Sequence, residues 1–308
     1  MTARVFIDGA AGTTGLEIVE RLALRSEFEL IVLDDEQRKS ADARRDAYHA
    51  AHFAVLCLPD DAAREAVALT EGSKVRIIDA SSAHRVQPGW VFGFPEVVGR
   101  DKIAEAERVS NPGCYSTGFI ALLAPLIRHA LLPSDWPYVC HAVSGYSGGG
   151  KAMIARFDGD PDIAYRDYGL NLGHKHVPEM QKVCGLAHPP VFSPAVIPAH
   201  RGMIVEVPLH LGLMQRAAPV DGLRDFLGDF YADSAVVTLN ADQPEELLLR
   251  RTMAPSDQLD LYVYGAKGGS QARLIAMLDN LGKGASGAAV QNLNLMAGLP
   301  ETAGLNLG

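Results

Sequence analysis

The sequence predicts an α/β fold that begins with a doubly wound parallel sheet. Three observations favour it: short apolar runs alternate with amphipathic segments in the first part of the chain, a glycine-rich turn joins the first run to the first amphipathic segment, and no internal repeat or low-complexity linker interrupts the chain. Domains typically contain about 150 residues, so a length of 308 residues corresponds to two domains or one large one.

The composition is that of an ordinary globular protein. Hydrophobic residues make up 48% and charged residues 21%, and the 30 glycines and 18 prolines suit an α/β protein. The 28 basic and 37 acidic residues give a net charge of −9, which disfavours nucleic-acid binding because no basic excess is available to replace counterions. Asp8 precedes any signal-peptide core, and no apolar stretch is long enough to span a bilayer, so we expect a cytoplasmic protein without a membrane segment.

The first predicted strand, 5–7, leads into a glycine-rich turn with the spacing G-x-x-G-x-x-G, and apolar residues recur at helical spacing from Leu16 onward. Strand, glycine turn and helix in that order are the context in which a dinucleotide pyrophosphate binds, because glycines let the backbone approach and the first helical N–H groups bind phosphate. A plain glycine turn is the alternative. The candidate cofactor-binding residues in the turn are Gly9, Gly12, Thr13, Thr14 and Gly15.

Three further apolar runs, at 29–33, 54–58 and 75–78, continue the alternation of strands and helices. Sustained over about 110 residues, this alternation favours a parallel sheet. A polar segment that contains Ser81 follows the last run. Because ligands of such sheets bind beyond the carboxyl ends of the strands, we take Ser81 as a further cofactor-binding candidate.

The end of the second strand bears on the choice between the two nicotinamide cofactors. Asp34 or Asp35 could accept a hydrogen bond from the ribose 2′-hydroxyl, which would favour NAD. Arg38 and Lys39 follow closely and could neutralise a 2′-phosphate, which would favour NADP. A solvated turn without either role remains open.

Four cysteines, none in a C-x-x-C pair, predict reduced thiols rather than a disulfide framework. Cys57 and Cys140 lie in apolar runs and are expected to be buried, and Cys184 receives no role. Cys114 differs because an Asn-Pro-Gly turn precedes it and an apolar segment with helical spacing follows. We predict that it lies in the first turn of a helix, where the macrodipole lowers a thiol pKa below about 8.5 and N–H groups face a developing oxyanion.

A glycine-rich segment, 145–151, resembles a phosphate-binding loop of the Walker A type. The residue after Lys151 is Ala152, so the hydroxyl that would hold Mg²⁺ is absent and an ATPase is disfavoured. The segment better fits a loop that closes over an active site, in which Ser144, Ser147 or Lys151 meets a substrate phosphate. A plain turn is the alternative.

His174 and His176 stand two residues apart and are followed by Glu179. The pair lacks a third metal ligand at a persuasive distance, so we predict no metal site. One histidine is expected to act as an acid–base group. The sequence leaves open which one, although Pro178 restricts the backbone after His176 and favours that residue.

Arg201 lies in a Pro-Ala-His-Arg-Gly turn before a predicted strand at 203–207. This position suits an arginine that grips a carboxylate or phosphate, and a surface salt bridge is the alternative. Another strand is predicted at 259–265, and the glycine-rich segment 282–289 opens a final helix that contains Asn292.

Five segments occur in an order that resembles the shorter variety of N-acetyl-γ-glutamyl-phosphate reductase of the arginine pathway, over nearly the whole chain. They are the glycine turn, 111–115, 145–151, 174–179 and 198–202. The resemblance implies a Rossmann-type parallel sheet and an α+β domain with a mixed sheet, as in semialdehyde dehydrogenases. The implied boundaries are 1–113 for a dinucleotide-binding domain, 114–281 for a catalytic and oligomerisation domain, and 282–308 for a helix that returns to the first domain.

The resemblance also implies a chemistry. Cys114 would be the nucleophile that forms a thioester, a histidine of the pair would manage protons, and Arg201 would bind substrate. Asn292 would lie near the nicotinamide. NADP becomes the favoured cofactor, with NAD possible, the substrate is N-acetyl-γ-glutamyl phosphate, and a homodimer or homotetramer is expected.

Two alternatives remain at this point. A related enzyme could use the same residues on aspartyl phosphate or on a carrier-bound aminoadipyl phosphate, because the acyl-chain pocket cannot be read from the sequence. A redox sensor that binds NAD(P) without catalysis would use Cys114 as a regulatory thiol.

Overall fold

The computed structural model describes residues 2–307, in which the chain divides into two compact units. The N-terminal unit comprises the residues up to Gly113 together with Ala285–Leu305. The C-terminal unit comprises Cys114–Gly284 and the residues from Asn306 onward.

The N-terminal unit contains a six-stranded parallel sheet with the order β2-β1-β3-β4-β6-β5, which confirms the predicted doubly wound sheet. Each predicted strand lies within one or two residues of an observed one, because side-chain patterns do not mark where the ladder hydrogen bonds stop. The strands are β1 Ala3–Asp8, β2 Phe28–Ile31, β3 Phe53–Leu56, β4 Arg76–Asp79, β5 Val91–Phe92 and β6 Arg108–Ser110. The helices are α1 Thr13–Ala23, α2 Ala41–Ala50, α3 Asp60–Leu69, α4 Pro95–Val98, α5 Arg100–Glu105 and α10 Gly287–Met296.

Both faces of this sheet are covered, which explains why its strands are continuously apolar. Val5 and Ile7 of β1 belong to a buried cluster that includes residues of α1 and α10. Phe6, between them, belongs to a second cluster that includes Tyr48 of α2. Successive side chains of a strand point to opposite faces, so β1 contributes to two cores.

The C-terminal unit contains a seven-stranded mixed sheet with the order β11-β12-β13-β10-β7-β9-β8, as the resemblance implied. The β7–β9 and β11–β12 pairs are parallel, and the other pairs are antiparallel. The strands are β7 Val139–Gly145, β8 Arg166–Asp167, β9 Val191–Ile197, β10 Met203–Leu209, β11 Val237–Leu239, β12 Leu259–Gly265 and β13 Ala272–Leu278. The helices are α6 Cys114–Arg128, α7 Gly150–Gly159, α8 Val177–Cys184 and α9 Val220–Tyr231.

Helix α6 is the central helix of this unit and packs against β10, β13, α8 and α9. It approaches the sheet closely at Gly118, where an added Cβ would lie 2.8 Å from the Val205 side chain. Nearly every residue after Cys114 is buried, so packing on all sides fixes the position of the first turn.

Candidate active site

The glycine turn after β1 is too tight for side chains. A Cβ at Gly9, whose φ is +91°, would lie 2.3 Å from the Cys57 carbonyl oxygen. A Cβ at Gly15 would lie 2.3 Å from the Gly9 carbonyl oxygen. The backbone therefore folds on itself between β1 and α1, which only glycine permits at these two positions.

The start of α1 fits a phosphate group. Thr13 and Thr14 occupy its first positions, where backbone N–H groups lack partners within the helix. The hydroxyl oxygen of Thr13 is buried without a hydrogen-bond partner among residues 2–307. Buried hydroxyls are nearly always bonded, so this oxygen and the helical amides match a bound phosphate oxygen.

A buried ion pair lies beneath the turn and was not found from the sequence. The Asp8 carboxylate at the end of β1 accepts two hydrogen bonds from Arg44, at 3.0 and 2.8 Å, and one from the Tyr48 hydroxyl. Burial and the adjacent Asp8 charge raise the pKa of Tyr48 well above its ordinary value. These contacts tie α2 to the end of β1 and thereby hold the start of the glycine turn.

The two basic candidates, Arg38 and Lys39, lie in a 3₁₀ turn after β2 and are exposed. Arg38 pairs with the exposed Asp35 at 3.1 Å. The Asp34 carboxylate accepts the backbone N–H groups of Glu36 and Gln37 at 3.0 and 2.8 Å, so it stabilises the turn itself.

Ser81 lies just beyond the carboxyl end of β4 and is bound to Asp79. Its hydroxyl donates to the buried Asp79 carboxylate at 2.8 Å, and its backbone N–H does so at 2.9 Å. His84 Nδ1 lies 2.6 Å from the same carboxylate, and the His84 ring stacks on Trp90. The segment after β4 is therefore held rigidly, with Ser81 at the same edge of the sheet as the glycine turn.

Asn292 in α10 is fully buried and presents an acceptor oxygen. Its amide nitrogen donates to the Gly93 carbonyl at 3.0 Å and to Asn111 Oδ1 at 3.1 Å. Asn111 in turn donates to the Ala285 carbonyl at 3.0 Å, which fixes both amide orientations. Within the described part of the chain the Asn292 Oδ1 atom has no hydrogen-bond partner, so it suits a donor such as a carboxamide.

Cys114 is the first residue of α6 and is half-buried, which places it where the sequence analysis expected a helix to begin. Gly284 lies against it, since a Cβ there would be 2.9 Å from the Cys114 Cβ. Cys57 is also half-buried rather than buried as expected, because it lies beyond the end of β3, but desolvation and the charges of Asp79 and Asp8 raise its pKa to about 12. Cys140 and Cys184 are buried, and burial raises their pKa values further above the ordinary range.

The two histidines lie together at the start of α8. His176 is the N-cap residue of α8 and is 5% exposed, and its ring centroid lies 4.7 Å from that of His174. The Tyr115 ring lies within 6 Å of both, at 5.9 Å from His174 and 5.8 Å from His176. Cys114 is near this group, since its charge acts on Tyr115 and on Tyr168, the phenol that lies 3.3 Å from His174 Nε2.

Two phenols belong to this cluster, and no sequence pattern indicated their role beyond the position of Tyr115 beside the cysteine. The Tyr115 hydroxyl donates to the Ala195 carbonyl at 2.9 Å, and the Tyr168 hydroxyl lies 3.3 Å from His174 Nε2. Burial raises the pKa of both phenols, with that of Tyr168 reaching about 12, and the charge of Cys114 acts in the same direction.

Arg201 is held by a buried carboxylate that sequence reasoning missed. Its guanidinium lies 2.7 Å from Asp279, which is fully buried at the end of β13. The Asp279 carbonyl oxygen accepts the N–H of Gly284, the residue beside Cys114. The neighbouring Asn280 bonds Gly202 and Ser147, and so joins the turn of Arg201 to the glycine-rich loop. Lys151 is exposed at the start of α7.

Among residues 2–307, no group of three or more His, Cys, Asp or Glu side chains is arranged to hold a metal ion. No helix in the same range is long and apolar enough to cross a membrane.

Two family models match the chain. The NAD binding domain of semialdehyde dehydrogenases matches residues 4–106, and the semialdehyde dehydrogenase dimerisation domain matches residues 114–280. The two matches together span most of the chain and meet close to Cys114.

Curated relatives match almost the full length. The chain is 46% identical to N-acetyl-gamma-glutamyl-phosphate reductase 2 of Nostoc sp., over 98% of this chain and 99% of the relative. It is 47% identical to N-acetyl-gamma-glutamyl-phosphate reductase of Rhizobium meliloti, over 96% and 99%. It is 48% identical to the protein of that name from Brucella anthropi, over 97% and 99%.

Solved structures with a similar fold include aspartate semialdehyde dehydrogenase II from Vibrio cholerae, complexed with ASA. The TM-score is 0.72 at 18% identity, with 96% of this chain and 98% of that chain covered. Aspartate semialdehyde dehydrogenase from Francisella tularensis gives 0.69 at 12% identity, with 96% and 100% covered. At these identities the similarity concerns the fold alone.

Proposed function

The chain belongs to the N-acetyl-γ-glutamyl-phosphate reductase family of the semialdehyde dehydrogenases, and we propose that it reduces N-acetyl-γ-glutamyl phosphate to N-acetylglutamate semialdehyde and phosphate. This reaction belongs to arginine biosynthesis. The observation that carries the proposal is the single half-buried thiol at a helix start, Cys114, clustered through Tyr115 with the histidine pair.

Cys114 is the proposed nucleophile. Its sulfur attacks the acyl carbon, the bond between that carbon and the phosphate oxygen breaks, and a thioester to Cys114 forms as phosphate leaves. The N–H groups of the first turn of α6 stabilise the developing oxyanion. His176 accepts the thiol proton and passes it to the departing phosphate. A nicotinamide held near Ser81 and Asn292 would supply a hydride, which would convert the thioester to the aldehyde and release the Cys114 thiolate.

Substrate binding is assigned to Arg201, Ser144 and Lys151. Arg201 is supported best, because Asp279 fixes the guanidinium in a largely buried position and guanidinium groups suit a carboxylate or phosphate. Ser144 is buried near the end of β7, next to the glycine-rich segment. Lys151 is free to reach a phosphate because it is exposed in the glycine-rich segment.

The NAD binding domain at residues 4–106 and the reductase relatives establish a nicotinamide cofactor. For NADP in particular we rely on Arg38 and Lys39, which are exposed after β2. The Asp34 carboxylate is already engaged by backbone N–H groups, which makes it a poorer acceptor for the ribose hydroxyl on which NAD depends. The pyrophosphate is assigned to Gly9, Gly12, Thr13, Thr14 and Gly15, and the nicotinamide end to Ser81 and Asn292.

The N-terminal unit is thus the proposed cofactor-binding part and the C-terminal unit the catalytic part, with a cytoplasmic location. A homo-oligomer is proposed because the outer face of the mixed sheet carries an apolar row beside the Arg273–Glu206 ion pair. Val143, Ile204 and Met277 form a row across three paired strands of this sheet, within the residues that match a dimerisation domain. A second copy of this chain is the proposed occupant of that face.

The reverse reaction tests the proposal. N-acetylglutamate semialdehyde and phosphate, with NADP or NAD in turn, are expected to give phosphate-dependent nicotinamide reduction that is faster with NADP. Cys114→Ala is expected to lower kcat by about a thousandfold or more because the nucleophile is lost, without weakening nucleotide binding. Cys140→Ala, which removes a buried thiol instead, serves as the control.

A thioester on the peptide that contains Cys114, trapped with the acyl phosphate and detected by mass spectrometry, would support the nucleophile directly. Faster reduction of aspartyl or aminoadipyl phosphate would reassign the substrate. Full activity of Cys114→Ala would refute the mechanism, and absence of activity with every acyl phosphate would favour a redox sensor.

A further inference from the structure

We infer that the His176 backbone N–H and the Tyr168 hydroxyl hold His174 as a neutral imidazole protonated at Nε2, so that His174 is a positioning residue and proton transfer belongs to His176. The inference rests on the proposed function, since it divides the work of the histidine pair in that reaction. Its structural part, the protonation state of His174, can be measured without any assay of activity.

Both ring nitrogens of His174 are engaged. The backbone N–H of His176 donates to His174 Nδ1 at 3.1 Å, so Nδ1 must carry a lone pair and no proton. His174 Nε2 lies 3.3 Å from the Tyr168 hydroxyl. A second proton on the ring would have to displace the His176 N–H, so the ring is held neutral as long as that bond exists.

The tautomer of His174 sets the direction of its bond to Tyr168. A neutral imidazole carries one ring proton, and Nδ1 accepts from the His176 N–H, so the proton is on Nε2. The Nε2–H group therefore donates to the Tyr168 hydroxyl oxygen, 3.3 Å away. The Tyr115 hydroxyl donates to the Ala195 carbonyl at 2.9 Å, so its proton is used elsewhere.

The residues around His174 and Tyr168 keep these hydrogen bonds intact at neutral pH. Burial raises the pKa of Tyr168 to about 12, so the phenol stays protonated. The Arg166 guanidinium lies over its ring, 4.4 Å from the centroid. The Phe192 ring packs edge-on against His174, at 4.9 Å between centroids. The titratable or charged groups of this cluster are Cys114, Tyr115, Arg166, Tyr168, His174, Lys175, His176 and Glu179.

The consequence for His176 is both geometric and electrostatic. The bond from its backbone N–H fixes the residue at the N-cap of α8. A positive charge on His174, whose ring centroid is 4.7 Å away, would disfavour protonation of His176 because like charges at that distance repel. Neutral His174 thus leaves His176 able to accept a proton.

The direct test is ¹⁵N-detected NMR of the histidine rings in the full-length protein. We expect the His174 signals of an Nε2-protonated neutral ring that do not titrate between pH 6 and pH 8, a window that spans the ordinary histidine pKa of about 6.5. Tyr168→Phe removes only the hydroxyl, and the Nε2 signal of His174 is then expected to shift because its hydrogen bond is lost, while Nδ1 stays unprotonated. Tyr165→Phe is the matched control in the same loop, because Tyr165 is exposed. An Nδ1-protonated or titrating His174 in the parent protein would overturn the inference.

The kcat values of asparagine variants distinguish the roles of the two histidines. Asparagine can replace His174 because its side-chain oxygen can accept the His176 N–H, so His174→Asn is expected to keep kcat within about tenfold of the parent. His176→Asn is expected to lose about a hundredfold to ten-thousandfold. The opposite order would show that His174 transfers the proton. If the protein proves to have no reductase activity, the proposed function fails while the NMR result still decides the state of His174.

Discussion

The four cysteine thiols of this chain occupy different environments, and these environments decide which thiol can act as a nucleophile. Cys140 and Cys184 are buried in the C-terminal unit, and Cys57 packs against the core of the N-terminal unit. A buried thiol resists ionisation because the thiolate loses its hydration. Cys114 is half-buried, lies at a helix start and has Gly284 against it, which leaves room beside the sulfur.

Alkylation should therefore be selective. At pH 8 iodoacetamide is expected to modify Cys114 and to spare the other three, whose thiol pKa values burial raises to about 12 for Cys57 and higher for Cys140 and Cys184. Because these values lie far above pH 8, thiolate populations at the three sites are negligible. Peptide mass spectrometry measures the modification, and denaturation in urea should expose all four thiols. Early labelling of Cys57 or Cys140 in the folded protein would contradict this account.

At the scale of elements, the turn between β1 and α1 shows how a backbone constraint becomes a binding site. The glycines of the turn are not equivalent. A Cβ at Gly15 would meet the Gly9 carbonyl oxygen at 2.3 Å, whereas a Cβ at Gly12 would lie 3.3 Å from the same atom. The first contact cannot be relieved without moving the backbone, and the second needs a shift of a few tenths of an ångström.

Gly15→Ala is accordingly expected to weaken binding of the nicotinamide nucleotide by about tenfold to a hundredfold, the effect of overpacking at a rigid site. Gly12→Ala should weaken it less. Titration calorimetry of each variant with NADP measures the difference, and circular dichroism checks that both remain folded. Equal losses in the two variants would mean that the tightness of the turn does not govern binding.

At the scale of the whole molecule, the proposed homo-oligomer places a second copy of this chain on the outer face of the mixed sheet. Helix α6 covers the opposite face, where Gly118 meets Val205. On the outer face, Ile204 lies opposite Val143 and Met277 in the register of β7, β10 and β13. Contiguous apolar rows on one face of a sheet are typical of a surface that is buried in an assembly.

A charge placed in that row should separate the copies. Ile204→Glu is expected to convert an oligomer to a species with the mass of one chain, because a carboxylate buried between two sheets loses hydration without gaining a partner. Light scattering coupled to size exclusion gives the mass. Leu24→Glu, at a residue 95% exposed in the N-terminal unit, is the control and should leave the assembly unchanged. A parent protein that is already monomeric would refute the proposed homo-oligomer.

Local patterns determine much of this protein. Alternating apolar runs predict the parallel sheet, glycine spacing predicts the turn before α1, and Asn-Pro-Gly before an apolar segment predicts that Cys114 begins a helix. These features depend on residues close in the chain, so the sequence alone predicts them. The mixed sheet of the C-terminal unit was foreseen only through family resemblance, because its paired strands are far apart in the chain.

The partners of the functional side chains were decided by the tertiary structure. Asp279 holds Arg201 from 78 residues away, and Asn111 orients Asn292 from 181 residues away. For His174 and His176 the sequence favoured His176 only through Pro178. Their difference in the structure arises from hydrogen bonds, because the His176 N–H donates to His174 Nδ1 and Tyr168 lies against His174 Nε2. Such contacts depend on which atoms come within about 3 Å of each other, and that distance is set by the packing of whole elements rather than by any local pattern.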